Sequence, residues 1–544
     1  MTESRDVVIV GGGHNGLTAA AYLALAGRRV TVLEKLDHVG GAAVSATAFE
    51  GVDARLSRYS YLVSLLPKRI ISDLGLDIRL ARRRYSSYTP EPGSTRGLLI
   101  DNGDPAGTAA ALGTDADGWN EFYAQTGALA RALFPTVLEP LLTRSEARAA
   151  VGDDEVWNRF IERPVGEGIL EAVRGDLVRG VVLTDALIGT FVPNVDPSLA
   201  GNRCFMYHVI GNETGDWDVP VGGMGSVTGE LARAARLAGA DLITGAEVTG
   251  ITPDGEVTYR HGDEQRTIAA SWVLANVAPY VLERLVGGPV IELLPAPVVD
   301  PVETPTSLAG RLAQVSASST TATTEKPEGA QVKVNLLLKR LPKLNDQSVD
   351  PAAAFGGTFH INELWSQLDG AYETAARGDV PVPLPCEIYC HSLTDPTILS
   401  PELRESGAHT LTVFGLHTPS RLVTPQNNAE MRVILEAAVL DSLNSVLAEP
   451  IEDLLLTDAA GKQTIETKTT LDIENALGMP GGNIFHGPLS WPFAEDDAAL
   501  ATPAERWGVA TQHARILLCG SGAQRGGAVS GLGGHSAAMA VLES

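Results

Sequence analysis

A glycine-rich turn near the start of the chain separates an apolar run from an alanine-rich run, in VVIVGGGHNGLTAAAYLALAGRRVTVLEK at residues 7–35. This pattern predicts a strand, a helix and a second strand. Gly11, Gly13 and Gly16 have the spacing G-x-G-x-x-G, which permits a tight turn, a close backbone approach to a pyrophosphate and close helix–strand packing. Glu34 ends the second strand, where a carboxylate accepts hydrogen bonds from ribose hydroxyls. These residues predict a β-α-β unit that binds a dinucleotide.

The glycine motif by itself does not separate FAD from NAD, but two further features favour FAD. Gly40 and Gly41 follow Glu34 in a stretch of small residues that lets an extended ligand lie against the backbone. Near the end of the chain, a glycine-rich segment at 520–534 leads into an alanine-rich helix. The N-terminus of that helix suits the N1–C2=O edge of a flavin, which becomes negative on reduction. NADP is disfavoured because the Glu34 carboxylate repels a 2′-phosphate.

A second glycine loop, GGMGSVTG at residues 222–229, precedes a predicted helix from Ser226 to Leu237. The segment before it, DWDVPV, is short and contains Pro220, which is unfavourable in a central parallel strand. No acidic residue follows at the distance that Glu34 has from the first motif. A second, NAD-binding site is therefore disfavoured here.

The remainder of the chain predicts a mixed α/β fold. Apolar residues have helical spacing at 64–90 and 119–180, and they alternate as in strands at 255–260, 267–275, 331–338, 384–392 and 409–415. We expect a Rossmann-type FAD-binding domain interwoven with a mixed-sheet substrate domain and a helical region. The expected boundaries are 1–80, 217–290 and 470–544 for the FAD-binding domain, 81–216 for the helical region and 291–469 for the mixed-sheet domain.

The charge balance excludes nucleic acid as a partner. Asp and Glu number 66 against 41 Lys and Arg, and the resulting net charge of −25 repels polyanions. No apolar run approaches the ~18 residues that a membrane span needs. The apolar helical faces are expected to contact either a core or, peripherally, a membrane surface, and the negative net charge of the chain favours a core.

The N-terminus and the cysteines predict a cytoplasmic protein. Residues 1–6 are polar and unlike a signal peptide, and the four cysteines form no paired framework (Cys204, Cys386, Cys390 and Cys519). We expect no metal site, since Cys386 and Cys390 are four residues apart in a predicted strand. That separation is about 13 Å at ~3.3 Å per residue, too far for one ion.

Several segments together resemble the phytoene-desaturase-related, or phytoene dehydrogenase-like, FAD-dependent oxidoreductases, whose fold is shared with amine oxidases. They are the segment at 7–35 with the following GGAAVS, then PVGGMGSVTGELARAARLAGADLITGAEVTGI, MPGGNIFHG and LLCGSGAQRGGAVSGLGGHSAA, in the family's order over nearly the whole chain. The resemblance implies FAD as the cofactor and places the helix after GGMG beside it. Ala42 and Ala43 stand where the wider fold often has an arginine, so phytoene itself is not carried over as the substrate.

The resemblance also implies which residues bind FAD. They are expected to line the pyrophosphate (Gly11, Gly13, His14, Asn15 and Gly16), flank the adenosine ribose (Glu34 and Lys35), run along the cofactor (Gly41, Ala42 and Ala43), meet the adenine (Val248) and lie near the flavin (Gly520, Ser530, Gly531 and Leu532).

Three side chains are candidates for catalysis. His535 lies near the expected flavin edge, where a hydrogen-bond donor stabilises the reduced flavin. Arg525, in the same terminal loop, is a candidate for contact with the substrate, and His208 in CFMYHVIGNETGDWD is a third candidate. For each of them the alternative is a purely structural role.

The chemistry that fits these features is dehydrogenation of a small organic substrate by hydride transfer to flavin N5, which needs few catalytic side chains. Amine oxidases usually frame their flavin with aromatic residues, but residues 517–539 contain none. We therefore expect an apolar or isoprenoid-like substrate in an aliphatic cavity, with oxygen, a quinone or another compound as electron acceptor. The alternatives are an amine oxidase on the same fold, an isomerase that uses FAD without net redox change, and a non-catalytic flavin-binding protein.

Overall fold

The computed structural model describes residues 3–287 and 325–544, and it confirms the predicted mixed α/β class. Two seven-stranded sheets form the framework. In the first sheet the strands lie in the order Ala246–Ile251, Glu256–His261, Glu264–Ala275, Glu3–Val10, Val30–Leu33 and Asp241–Ile243, with Ile516–Leu518 paired to the end of Glu264–Ala275. Parts of the chain that are remote in sequence therefore share one sheet.

The N-terminal unit forms the predicted strand, helix and strand. Glu3–Val10 pairs in parallel with Val30–Leu33, and the helix His14–Leu25 connects them. Residues 7–10 and the strand Val30–Leu33 are buried because they lie inside a sheet covered on its faces, which explains their almost entirely apolar sequence. Gly11 has φ +97°, a conformation that favours glycine, and it turns the chain from the first strand into the helix.

The second sheet is mixed, as predicted. Its strands lie in the order Ile465–Lys468, Val332–Leu338, His409–Gly415, Cys386–Tyr389, Thr358–Ile361, Tyr85–Pro90 and Gly97–Asp101. Tyr85–Pro90 pairs in parallel with Thr358–Ile361, and the other described pairings are antiparallel. Residues 291–324 of the predicted mixed-sheet domain lie outside the described residues, and the domain boundaries remain a prediction.

Helices cover the sheets and form a separate layer between residues 105 and 209. The α-helices are His14–Leu25, Lys68–Asp73, Pro105–Leu112, Ala116–Leu133, Arg144–Val151, Asp154–Trp157, Val165–Ala172, Asp176–Leu183, Ala200–Val209, Met224–Leu237, Pro279–Leu285, Pro351–Ala354, Trp365–Ala376, His391–Thr394, Pro401–Glu405, Asn428–Val446, Thr470–Leu477, Pro503–Arg506 and Leu532–Leu542. Two short strand pairs complete the regular structure, Ser45–Thr47 with Arg55–Ser57 and Leu80–Ala81 with Val219–Pro220. Across residues 3–287 and 325–544, every helix is too short or too polar to cross a lipid bilayer.

The terminal helix Leu532–Leu542 packs directly on the first helix. A Cβ on Gly534 would lie 2.0 Å from the carbonyl oxygen of Asn15, and one on Gly533 would lie 2.5 Å from that of Gly520. The Gly534 N–H faces Asn15 Oδ1 at 3.5 Å. Glycine is required at both positions because the neighbouring backbone lies closer than any side chain permits.

Replacing Gly534 with alanine is expected to lower stability, by about 1–3 kcal/mol, because the new methyl group overlaps a backbone carbonyl that cannot move away. The matched control is Gly370→Ala, in the exposed part of Trp365–Ala376, where an added Cβ meets no atom within 4 Å. Alanine there is expected to stabilise by about 0.5–1 kcal/mol. Thermal unfolding followed by circular dichroism measures both, and equal midpoints for the two variants would contradict the close crossing of the helices.

Candidate cofactor and substrate site

A cavity of about 650 Å³ begins at the carboxyl ends of the parallel strands of the first sheet, which is where doubly wound sheets bind their ligands. Eight of the residues expected to bind the cofactor line it (Gly11, Gly13, His14, Glu34, Lys35, Gly41, Ala42 and Val248). The cavity continues past Ser521, Ala528 and Val529 of the terminal loop to the edge of the second sheet.

The other residues expected to touch the cofactor lie behind the cavity wall. Asn15 and Gly16 are buried in the first helix, and a Cβ on Gly16 would lie 2.3 Å from the carbonyl oxygen of Gly11. Gly531 packs on Thr18 of the same helix. Ala43, Gly520, Ser530 and Leu532 likewise are not among the lining residues. Close packing of these residues holds the two glycine segments together, and their contact with the cofactor stays a prediction.

Glu34 is fixed by the backbone around it. Its Oε2 accepts a hydrogen bond from the Gly12 N–H at 2.7 Å, and its Oε1 accepts one from the Leu36 N–H at 2.8 Å. Each oxygen keeps a second lone pair, and the side chain lines the cavity. The carboxylate therefore stays in place to accept further hydrogen bonds from a ligand.

Asn276 supports the glycine turn and was missed by the sequence analysis. Its Nδ2 donates to the carbonyl oxygen of Gly11 at 2.9 Å, and a Cβ on Gly11 would lie 2.8 Å from the Asn276 carbonyl oxygen. The residue directly follows the strand Glu264–Ala275, which pairs in parallel with the first strand. Its position after a strand of the parallel sheet is the signal that could have identified it.

Two imidazoles in the cavity wall each have a ring nitrogen without a hydrogen bond. Nε2 of His14 and Nδ1 of His486 are buried atoms without a hydrogen bond, and both side chains line the cavity. Burial lowers the pKa of each to about 4, so both rings are neutral at neutral pH. Buried polar atoms without partners are costly. A long polar ligand such as FAD would satisfy them, so the residues present fit the cofactor.

The far end of the cavity is aromatic, which corrects the expectation of an aliphatic lining. Tyr59, Tyr61, Tyr207, Phe414 and Phe485 all line it. The segment 517–539 indeed lacks aromatic residues, but these rings come from other elements that the fold brings together. The absence of aromatic residues near the C-terminus is therefore no evidence against an amine substrate.

Lys333 is a second residue that the sequence analysis missed. It lies on the buried strand Val332–Leu338, lines the cavity and donates to the carbonyl oxygens of Ser57 and Tyr59 at 3.3 and 3.2 Å. Its Nζ is 4.3 Å from the centre of the Phe414 ring. Burial holds the pKa of this amine well below its usual value.

A smaller polar cavity of about 140 Å³ adjoins the first one. The two share wall residues Tyr61, Leu62, Ile188, His208 and Trp217. The smaller cavity is also lined by polar side chains from the helical layer and the second sheet (Arg83, Asp185, His360, Glu387 and Tyr389). An aromatic cavity and a charged one thus meet at a common wall.

The three catalytic candidates have different environments. His208 lines both cavities, stacks on Trp217 at 5.1 Å between ring centres and has its Nδ1 at 2.8 Å from the Cys204 carbonyl oxygen. His535 instead packs between Tyr22 and Trp507, with ring centres 5.1 and 5.6 Å apart. His208 remains a candidate, whereas His535 does not line the larger cavity.

Arg525 serves the structure rather than the substrate. Its buried guanidinium donates to backbone carbonyl oxygens of two loops (Val137, Glu139, Pro140 and Pro492). With its donors engaged and its side chain 1% exposed, Arg525 joins the terminal loop to the helical layer and does not line the larger cavity. Arginine is a residue type suited to substrate binding, but the fold determines which groups Arg525 contacts.

Comparisons with known proteins agree with this geometry. Residues 9–68 match a family model described as an NAD(P)-binding Rossmann-like domain. A rat protein, pyridine nucleotide-disulfide oxidoreductase domain-containing protein 2, is 27% identical over 99% of this chain and 93% of its own. A solved structure of a putrescine oxidase variant has a TM-score of 0.56 at 18% identity, covering 100% of this chain and 99% of the other, which shows the shared fold.

A much nearer relative is an uncharacterized protein of Mycobacterium tuberculosis. It is 55% identical over 553 aligned residues, which cover 99% of this chain and 97% of the relative. At that identity and coverage, the chain belongs to the same protein family as this mycobacterial protein, on a fold shared with flavin amine oxidases.

Proposed function

We propose that the protein is an FAD-dependent oxidoreductase that dehydrogenates a small organic substrate. The observation that carries the proposal is one cavity that joins a dinucleotide-binding turn to an aromatic chamber at the second sheet. FAD, when bound, would supply the redox chemistry, which is hydride transfer from a substrate C–H to flavin N5. The chain supplies binding, orientation and a dry environment.

The first sheet provides the groups that hold the nucleotide. Glu34 would accept hydrogen bonds from the ribose hydroxyls, and the free N–H groups at the start of His14–Leu25 would bind the pyrophosphate. Val248 lines the cavity next to a register shift between Val248 and Gly250 and would contact the adenine. Asn276 keeps the glycine turn in its binding conformation through Gly11.

The second sheet provides the substrate chamber. Aromatic rings together with Leu62, Leu65 and Ile188 give it an apolar wall that excludes water. This lining supports an apolar, isoprenoid-like body for the substrate. Lys333 ties the segment that carries Tyr59 to the second sheet and so positions one wall of the chamber.

An amine substrate is the second candidate. The carboxyl groups of Asp185 and Glu387 lie just beyond the shared wall, where they would attract a cationic group. Burial raises the pKa of Asp185 to about 6, so it is largely ionised at neutral pH. The isomerase and the non-catalytic flavin protein are further alternatives that the same spectroscopic experiment separates.

Replacing Glu34 with glutamine is expected to weaken FAD binding by about tenfold or more. Both carboxylate oxygens accept a hydrogen bond from a backbone N–H, and the amide NH₂ of glutamine would face one of these N–H groups without being able to accept its hydrogen bond. The control is Glu256→Gln, an exposed carboxylate on the same sheet, which is expected to leave affinity unchanged. Titration of the apoprotein with FAD, followed by flavin fluorescence, measures both. Equal affinities for the two variants would remove Glu34 from the nucleotide site.

The purified protein is expected to show flavin absorption bands that disappear anaerobically when the right substrate is added. Bleaching by an isoprenoid or other apolar compound would support the dehydrogenase, and bleaching by an amine would support the second candidate. A yellow protein that no compound bleaches would favour the isomerase or the non-catalytic protein. A colourless protein that cannot be reconstituted with FAD would refute the proposal.

A further inference from the structure

His360, Glu363 and Glu387 come together beside the polar cavity because of strand register and one unusual turn. His360 and Glu387 are direct partners on the antiparallel strands Thr358–Ile361 and Cys386–Tyr389, so their side chains share a face. Asn362 follows with φ +59°, a left-handed conformation that is strained for any residue but glycine. The turn at Asn362 brings Glu363 back against His360.

The three side chains are buried and close enough to share a ligand. One nitrogen or oxygen atom from each lies within 4.8 Å of the others, and the residues are 3%, 0% and 1% exposed. His360 Nδ1 lies 2.7 Å from Glu363 Oε2. Thr184 and Tyr389 donate hydroxyl hydrogen bonds to the two oxygens of Glu387 at 2.6 and 2.7 Å. The cluster is thus oriented by its surroundings.

Two atoms of this cluster nevertheless lack partners. Glu363 Oε1 is buried without a hydrogen bond. His360 Nε2 has no hydrogen-bond partner among the described residues, although its side chain is only 4% exposed and lines the polar cavity. Buried polar atoms in native proteins are normally bonded, so the orphaned Glu363 Oε1 indicates a missing group.

The local charge has the same implication. Asp185, Glu363 and Glu387 bring three carboxyl groups to this region, where the described cation is Arg83. If these three carboxyl groups are ionised while Arg83 is charged and His360 is neutral, two negative charges are left uncompensated. A divalent cation would neutralise this excess.

We propose that His360, Glu363 and Glu387 bind a divalent first-row transition metal ion. An imidazole nitrogen combined with carboxylate oxygens suits Zn²⁺ or Mn²⁺, whereas Mg²⁺ and Ca²⁺ prefer oxygen ligands. Zinc–ligand distances of about 2.0–2.2 Å require the three side chains to reorient around the ion, which carboxylate rotation permits. The adjoining cavity offers an entry path and room for a water ligand.

The metal would connect the helical layer to the second sheet. Thr184, at the end of Asp176–Leu183, already bonds Glu387, and a Cβ on Gly180 would lie 1.7 Å from the Glu363 carbonyl oxygen. The site therefore lies where these two parts of the molecule make their closest contact. It also lies behind the wall of the substrate chamber, through Tyr389 and Tyr61, whose ring centres are 4.5 Å apart.

The test measures zinc retained by the full-length protein as purified. The protein is treated with EDTA, mixed with a small excess of ZnCl₂ and desalted, and zinc is quantified by inductively coupled plasma mass spectrometry. We expect about one Zn²⁺ per chain in the wild type and at least about tenfold less in His360→Gln and Glu387→Gln. The matched control is His409→Gln on the neighbouring strand His409–Gly415, which is expected to retain the metal.

X-ray absorption at the zinc edge tests the same proposal on the wild type, and so does not depend on variants that fail to fold. We expect nitrogen and oxygen ligands at about 2.0–2.2 Å, including imidazole, and no sulfur at about 2.3 Å. Sulfur ligation, no retained zinc in the wild type, or equal retention in the folded variants would overturn the proposal. Neither measurement uses the flavin, so the outcome is independent of the proposed oxidoreductase activity.

Discussion

The close approach of backbones around the first glycine turn is the constraint on which the rest of the structure depends. Gly11 contacts Asn276 at the end of one neighbouring strand, and Gly16 packs against Gly11 itself. Gly534 brings the terminal helix against Asn15 on the other side. Three distant segments thus meet at one point, where a single added methyl group would separate them. The turn can present its N–H groups to a pyrophosphate because these neighbours prevent it from relaxing.

The functional chambers arise where the second sheet and the helical layer meet this nucleotide-binding unit. The larger cavity passes from the glycine turn to Lys333 and Phe414 on adjacent strands of the second sheet. The polar cavity lies on the other side of Tyr61, between that sheet and the helix that ends at Leu183. An apolar chamber and a cluster of buried charges are therefore separated by one layer of side chains.

Prediction from sequence succeeded where chemistry follows from local spacing. Gly11, Gly13 and Glu34 belong to one continuous β-α-β segment, whose geometry is set by nearest neighbours along the chain. The prediction was incomplete where a side chain contacts residues that are distant in the sequence. Arg525 looks like a substrate ligand in a terminal glycine loop, yet carbonyl groups almost four hundred residues earlier engage its guanidinium. The sequence interpretation considered cysteines close in sequence as metal ligands and did not bring together His360 and Glu387, which are joined by strand pairing.

The sequence by itself determined the fold class, the dinucleotide-binding turn and the acidic residue that closes it, because these features depend on short-range periodicity and on the conformational freedom of glycine. Only the tertiary structure decided which side chains face the ligand. It buried Ser530 and Leu532, surrounded the chamber with aromatic rings from separate elements, and placed His360 opposite Glu387. The physical reason is that burial, ring contacts and the pairing of charges are set by which elements pack together, and that packing joins residues far apart in the chain.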